Sequence, residues 1–285
     1  MSPIKEVIIN KKTSINPIWI MRQAGRYLPE FREIRKKNPD FIKLCLNEVL
    51  SSEITLQPLK RFDLDAAIIF SDILMLPYGV GQEVKFKKNF GPELGLVNYD
   101  KIKNTREEDF INKLKPIYNL LKIVSNNKII KNNKDLIGFV GAPWTLLVYM
   151  INKKSPKKGF NVEKILHDEK TTSGLLKKIE DTICVHIKNQ VNSGANVIQI
   201  FDSWAGLIPE DKLDKFCYEP NYRIVNFVKS LEVPVICFPR GIKKNYINFC
   251  SFVKPDCISI DYEVDPTWIS EKINNTVIQG GMDPK

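Results

Sequence analysis

Arg22 and Arg26 stand just after a short apolar run, inside the segment Pro17-Ile-Trp-Ile-Met-Arg-Gln-Ala-Gly-Arg-Tyr-Leu-Pro-Glu-Phe31. A guanidinium keeps its charge at any working pH and presents a planar fork of donors that matches a carboxylate. Two of them this close, with Gly25 letting the backbone turn between them, suit a ligand with more than one acidic group; a basic surface turn is the plainer alternative. Asp72 is the second candidate, in Ile68-Ile-Phe-Ser-Asp-Ile-Leu-Met-Leu76. An ionised carboxylate in so apolar a stretch is costly unless donors face it, so Asp72 reads either as a helix N-cap or as a charge held for chemistry.

The elements that would position these groups are strands alternating with helices. Short Ile/Val-rich runs end in Pro, Gly, Asp or Ser and are separated by stretches long enough for a helix. Strands are expected at Ile18–Met21, Ala66–Phe70, Ile137–Val140, Val197–Phe201, Val235–Phe238, Cys257–Ile260 and Val277–Gln279. Leu176, Ile179, Ile183, Ile187 and Val191 make one apolar helical stripe, stopped by Ser193-Gly194. Asp40 is placed to cap a helix with Phe41, Leu44, Cys45 and Val49 on its inner face. The insertion Val84–Asn98 suggests a hairpin or extended loop, and Asn126–Asp135 a solvated loop without chemistry.

This pattern predicts a single α/β domain over residues 1–285, a (β/α)₈ TIM barrel, with seven strands visible where closure wants eight. An open doubly wound sheet is the alternative, but no G-x-G-x-x-G follows the first strand, so a dinucleotide site lacks support. In a barrel the residues just past the strand ends converge on one face. Arg22 and Arg26, Ser71 and Asp72, Ala142 to Tyr149, and Asp202 with Ser203 would all reach that mouth. Phe70, Phe139 and Trp144 could wall it, although aromatic residues at such positions are core by default.

The chain carries 43 Lys and Arg against 33 Asp and Glu, a net charge of +10 at pH 7. The excess is mostly lysine scattered among Asn and Ile, which argues against a nucleic-acid groove and fits either a small polyanion or a lysine-rich background. Cys45, Cys184, Cys217, Cys237, Cys250 and Cys257 fall mostly in apolar patterns without a C-x-x-C pair, as expected in a reduced cytoplasm. No run approaches the roughly 18 apolar residues that cross a bilayer, and the N-terminus lacks a secretory pattern. A soluble, cytoplasmic protein is expected, with no membrane or nucleic-acid partner.

Pro17, Trp19, Met21, Arg22, Gln23, Ala24, Gly25, Arg26, Tyr27, Leu28 and Pro29 match the N-terminal signature of the uroporphyrinogen decarboxylase family. Phe70-Ser-Asp-Ile-Leu74 and Gly138-Phe-Val-Gly-Ala-Pro-Trp-Thr-Leu-Leu-Val-Tyr149 resemble the same family, and the similarity runs from about residue 14 to the last. The resemblance implies removal of the four acetate carboxylates of uroporphyrinogen III, without a cofactor or metal, to give coproporphyrinogen III. It also implies a homodimer. By the same resemblance Asp72, Arg22 and Arg26 are catalytic. Gln23, Ala24, Gly25, Tyr149 and Ser203 join those three in holding substrate, Tyr149 and Ser203 through their hydroxyls.

Gln279-Gly-Gly-Met-Asp-Pro284 resembles the family's turn after the seventh strand. A further strand, its flanking helices and a histidine of the family's cleft have no counterpart here; His167 and His186 sit in a charged segment and in the helical stripe. The expectation is therefore a barrel lacking its last βα unit, and a chain poorly active as written. Two other readings stay open: a non-catalytic porphyrinogen or polyanion binder, and a zinc-dependent corrinoid methyltransferase. The latter lacks an H-x-C motif here, having only Cys184-Val-His186 in mid-helix.

Overall fold

The computed structural model describes residues 1–12, 14–87, 90–157 and 159–283. Six parallel strands form one sheet: β1 (Ala66–Ile68), β4 (Asp135–Gly141), β5 (Val197–Asp202), β6 (Val235–Pro239), β7 (Cys257–Ile260) and β8 (Val277–Gly280), hydrogen-bonded in that order. Each neighbour is reached through a crossover, and every crossover contains helix, as parallel pairing requires. The register is set by pairs such as Ala66 with Asp135, Ile137 with Val197, Ile198 with Val235 and Cys257 with Val277. β2 (Val84–Lys87) and β3 (Gly91–Leu94) form a separate antiparallel hairpin. Its expected tip, Lys88 and Asn89, lies outside the described residues.

The curl of the sheet separates two apolar layers, because successive side chains on a strand point to opposite faces. Leu136, Val140, Ile198, Ile200 and Ile258 face outward into the main core, against helices such as Glu48–Arg61, Glu107–Ser125 and Glu169–Asn192. Ala66, Ile68, Ile137, Val197, Ile236 and Cys257 face inward and pack on Ile4 and Ile8. Those two belong to the helix Pro3–Asn10, which covers the inner face at the end where the strands begin. The Ser2 hydroxyl donates to Asp135 Oδ1 at 2.5 Å and pins that helix to the start of β4. Asp135 is thus a buried structural acceptor, and the segment before it holds a short helix, Lys128–Lys131, instead of an uninterrupted loop.

The expected first strand is not one. Ile18 exchanges hydrogen bonds with Asp65, its N–H reaching Oδ2 at 2.6 Å and its carbonyl accepting from the Asp65 N–H at 2.8 Å. The Ile20 N–H donates to Gln23 Oε1 at 3.2 Å. Side-chain acceptors take donors that a ladder would have used, so the segment is extended without joining the sheet. Ile18 and Ile20 are exposed, while Trp19 turns inward and its indole donates to Gln279 Oε1 of β8 at 3.1 Å. One side-chain bond therefore links this segment to the far edge of the sheet.

The helix after Asp40 is also shorter than its apolar pattern suggests. Asp40 caps it, accepting from the Lys43 N–H, but it ends at Cys45. Asn47 then caps a new helix, Glu48–Arg61, whose change of phase turns Val49 to solvent. The Leu176–Val191 stripe packs as expected and stops at Gly194, whose φ of +113° suits glycine.

Candidate active site

The loop carrying Arg22 and Arg26 is built by Gln23, which is buried. Its amide donates to the Ala66 carbonyl at 3.0 Å and accepts from the Ile20 N–H, so the loop is seated on the first residue of β1. The Tyr27 hydroxyl donates to the Gln23 carbonyl, and the Leu28 N–H closes a turn on the Gly25 carbonyl at 3.0 Å. Arg32 donates to the Arg26 carbonyl at 2.8 Å from the following helix, Pro29–Lys37. With the main chain so braced, the side chains of Arg22 and Arg26 remain exposed.

One expectation needs correction. Gly25 has no positive φ, and a Cβ there would meet the Tyr27 ring at 3.5 Å, ordinary contact, so the turn does not require glycine. The Gln23 side chain is occupied in holding the loop, which leaves its main chain as the part able to meet a ligand. Ala24 packs partly against the core.

Asp72 follows β1 and is partly exposed. Its Oδ1 accepts from the Leu74 N–H at 2.8 Å, so it caps the turn leading into Met75–Gly79. Burial pushes its pKa up to about 6; the Leu74 hydrogen bond and the charge of Arg22 pull the other way. Asp72 and Arg22 thus lie within electrostatic reach of one another. The carboxylate also pushes up the buried Cys45 thiol, a shift whose largest cause is burial.

Arg35, which the sequence reading passed over, joins this cluster. Its guanidinium lies 5.3 Å from the centre of the Phe41 ring, an attractive cation–π arrangement. Burial lowers its pKa, the Cys45 thiol opposes that, and the neighbouring charge of Arg26 reinforces it. Its signal was its place on the helix that leaves the arginine loop. The Phe41 ring in turn packs at 5.7 Å from Phe70, which is also 5.7 Å from Phe31. Phe70 is therefore core and not a wall of the mouth.

A second group stands at the end of β5. Asp202 is fully buried: Oδ1 accepts from the Thr145 hydroxyl at 2.7 Å, Oδ2 from the Asn221 amide at 3.3 Å and from the Cys217 thiol at 3.5 Å. Burial raises its pKa to about 6 against these hydrogen bonds. Thr145 Oγ1 also accepts the Trp204 N–H at 3.0 Å, and the Trp144 indole donates to the Trp204 carbonyl at 2.9 Å. Trp144 is thereby buried in the frame. The network fixes the stretch that carries Ser203, which stays partly exposed, and sets the Trp204 ring 6.0 Å from that of Tyr149. Phe139 and Phe201 lie between the two groups on the inner face, 5.7 Å apart and edge to face.

The structure thus brings Asp72 together with Arg22, Arg26 with Arg35, and Tyr149 with the Ser203-Trp204 turn, two strands further along the sheet. A cavity of about 110 Å³ lined by Val80, Thr105, Phe110 and Val185 belongs to the outer helical layer and takes no part in this arrangement. His186 is buried at 3.0 Å from the Tyr118 hydroxyl, burial lowering its pKa to about 3, and His167 sits at the surface. Among the described residues no three His, Cys, Asp or Glu side chains gather where a metal ion would need them.

Comparison with known proteins agrees with this geometry. A methyltransferase from Methanosarcina mazei superposes with a TM-score of 0.74 at 13% identity, covering 97% of this chain and 81% of its own, a likeness of fold alone. A curated uroporphyrinogen decarboxylase of Rickettsia bellii is 40% identical over 287 residues, 99% of this chain and 82% of the relative. That of a Jannaschia species is 38% identical over 277 residues, covering 95% and 80%. The family model described as uroporphyrinogen decarboxylase (URO-D) matches residues 1–285. A TIM-barrel-like sheet, a family model matched over the whole chain and relatives matched almost throughout mean that this chain belongs to the uroporphyrinogen decarboxylase family.

Proposed function

We propose that this chain is a carboxy-lyase of tetrapyrrole biosynthesis, removing the acetate carboxylates of uroporphyrinogen and leaving methyl groups. The relatives named above support the reaction, and the pairing of Asp72 with Arg22 supports the placement of its chemistry. Loss of CO₂ from a pyrrole acetate would leave a carbanion. Protonation of the ring at carbon first makes it cationic and gives the electron pair a sink, so the pyrrole itself stores the electrons.

Asp72 faces that developing positive ring in our reading. Burial disfavours its carboxylate and Arg22 offsets that only in part; fixed charge of this kind commonly supplies the largest part of a rate enhancement. Arg22 and Arg26 grip carboxylate arms, with charge-assisted bonds worth roughly 1.5–3 kcal/mol each. Main-chain groups of Gln23, Ala24 and Gly25 and the hydroxyls of Tyr149 and Ser203 complete the hold.

As corollaries we propose one barrel domain working as a homodimer in the cytoplasm. All six cysteines are unpaired thiols, and no described helix is long and apolar enough to cross a membrane. The test is anaerobic incubation of the chain with uroporphyrinogen, following the number of carboxylates left on the product. Successive loss of carboxylates is expected. Porphyrinogen held without any release of CO₂ would leave the chain a binder and overturn the assignment.

A further inference from the structure

A third arginine stands on the opposite rim of the mouth. β6 ends at Pro239, and Arg240 opens the turn that follows, at the carboxyl end of the strand. Its side chain is 55% exposed, yet its main chain is clamped on both sides. The Arg240 N–H donates to the Asp202 carbonyl at 3.1 Å, and its carbonyl accepts the Gly206 N–H at 2.9 Å. The turn beside it is packed to the limit, since a Cβ on Gly206 would lie 2.8 Å from the Gly241 carbonyl oxygen.

Asp261, just past β7, steadies the side chain from below. Its Oδ2 accepts from the Gly241 N–H at 2.7 Å and from the Tyr246 hydroxyl at 2.9 Å, while Oδ1 stands 3.9 Å from Arg240 Nε. So long and exposed an ion pair adds little to stability, which does not account for the rigid seat beneath it. That seat holds a cation whose fork of donors stands exposed at the carboxyl end of β6. β6 lies three strands from β1 in the sheet, roughly 14 Å along it at about 4.8 Å per strand. Arg22 and Arg26 cannot serve both rims of a macrocycle lying across that span.

We propose that Arg240 is a second carboxylate anchor, binding an acidic arm on the side of the macrocycle away from Arg22 and Arg26, with Asp261 as its positioning residue. This makes it a determinant of specificity for substrates with acid groups on opposite edges, and it rests on the decarboxylase reading above. A ligand acidic on one edge alone would engage one rim.

The experiment compares the parent chain with Arg240→Gln and Arg240→Lys, measuring turnover of uroporphyrinogen and binding of oxidised uroporphyrin by fluorescence. In Arg240→Gln, KM and the porphyrin Kd should both rise about tenfold, a loss expected for one exposed charge-assisted contact, with a smaller fall in kcat. Arg240→Lys should recover most of the affinity, the difference between Gln and parent should shrink at high salt, and the melting temperature should stay at the parent value. Unchanged KM and Kd in Arg240→Gln would overturn the proposal. So would a loss of affinity that tracks a fall in melting temperature and that lysine does not restore, for the residue would then be a structural prop. A parent that binds porphyrin without turnover would defeat the decarboxylase reading alone, with the binding comparison still deciding Arg240; a parent that neither binds porphyrin nor turns over uroporphyrinogen defeats both.

Discussion

Asp202 ends β5 and Asp72 lies just past β1, and burial raises the pKa of each to about 6, but they have different partners. Asp202 is ringed by Thr145, Asn221 and Cys217, three side chains that donate to it. Asp72 receives a single main-chain N–H and is otherwise balanced by Arg22. Equal shifts therefore mark different roles. The carboxylate whose donors are complete holds the frame, and the one left short of donors is the one we propose to stabilise a cation that arrives with the substrate.

The largest effect should come from Asp72→Asn. The isosteric amide can still accept from Leu74, so the turn survives, but the charge is gone. Activity should fall by about 10²–10³. Because an ionised Asp72 is disfavoured in the folded state, the variant should hold or gain stability at pH 7. Near-parental turnover in Asp72→Asn would erase the distinction between the two carboxylates.

Asp202→Asn tests the other side. A carboxyl with a folded pKa of about 6, above its ordinary 3.8, binds more proton folded than unfolded between those values, so it withdraws stability as pH rises through that window. The amount is on the order of 2–3 kcal/mol. His186 works the opposite way: lowered from 6.5 to about 3, it withdraws stability as pH falls below 6.5. The two slopes oppose one another in the parent. Replacing Asp202 should expose the histidine's slope, so that stability from urea unfolding rises between pH 4 and 6.5 more steeply than in the parent. Parallel curves for variant and parent would mean that Asp202 is not held as its network implies.

The two halves of the mouth also differed in how far sequence revealed them. The β4 to β7 strands were legible because each is a compact apolar run buried on both faces, and β8 because its Val-Ile pair keeps the pattern although it is only half-buried. Asp72 stood out as a charge among apolar neighbours. Ile18–Met21 misled because its partners are side chains distant in sequence, Asp65 and Gln279, and no local pattern announces an acceptor that will replace a ladder. Val49 misled for a related reason: Asn47 restarts the helix and shifts its phase. Arg35 and Arg240 went unseen because each owes its position to tertiary neighbours, the Phe41 ring in one case and Asp261 in the other. Gln23 was visible as part of the signature, but its burial and its bond to Ala66 emerge only with the fold.

The smallest effects concern two glycines, one on each side. Gly206 faces the Gly241 carbonyl at 2.8 Å from where its Cβ would stand, so Gly206→Ala should destabilise by about 1–3 kcal/mol as the two turns are forced apart. Gly25 has ordinary contact distances and no left-handed φ, so Gly25→Ala should instead stabilise by about 0.4–1 kcal/mol through the lower entropy of the unfolded chain. Urea midpoints of the two variants decide this. Opposite signs would show that the arginine loop is held by side-chain bonds from Gln23, Tyr27 and Arg32, and the β5–β6 rim by close contact of main chain. If Gly25→Ala lost stability as well, the loop would be as tightly packed as the rim, and side-chain bonds alone would not be what holds it.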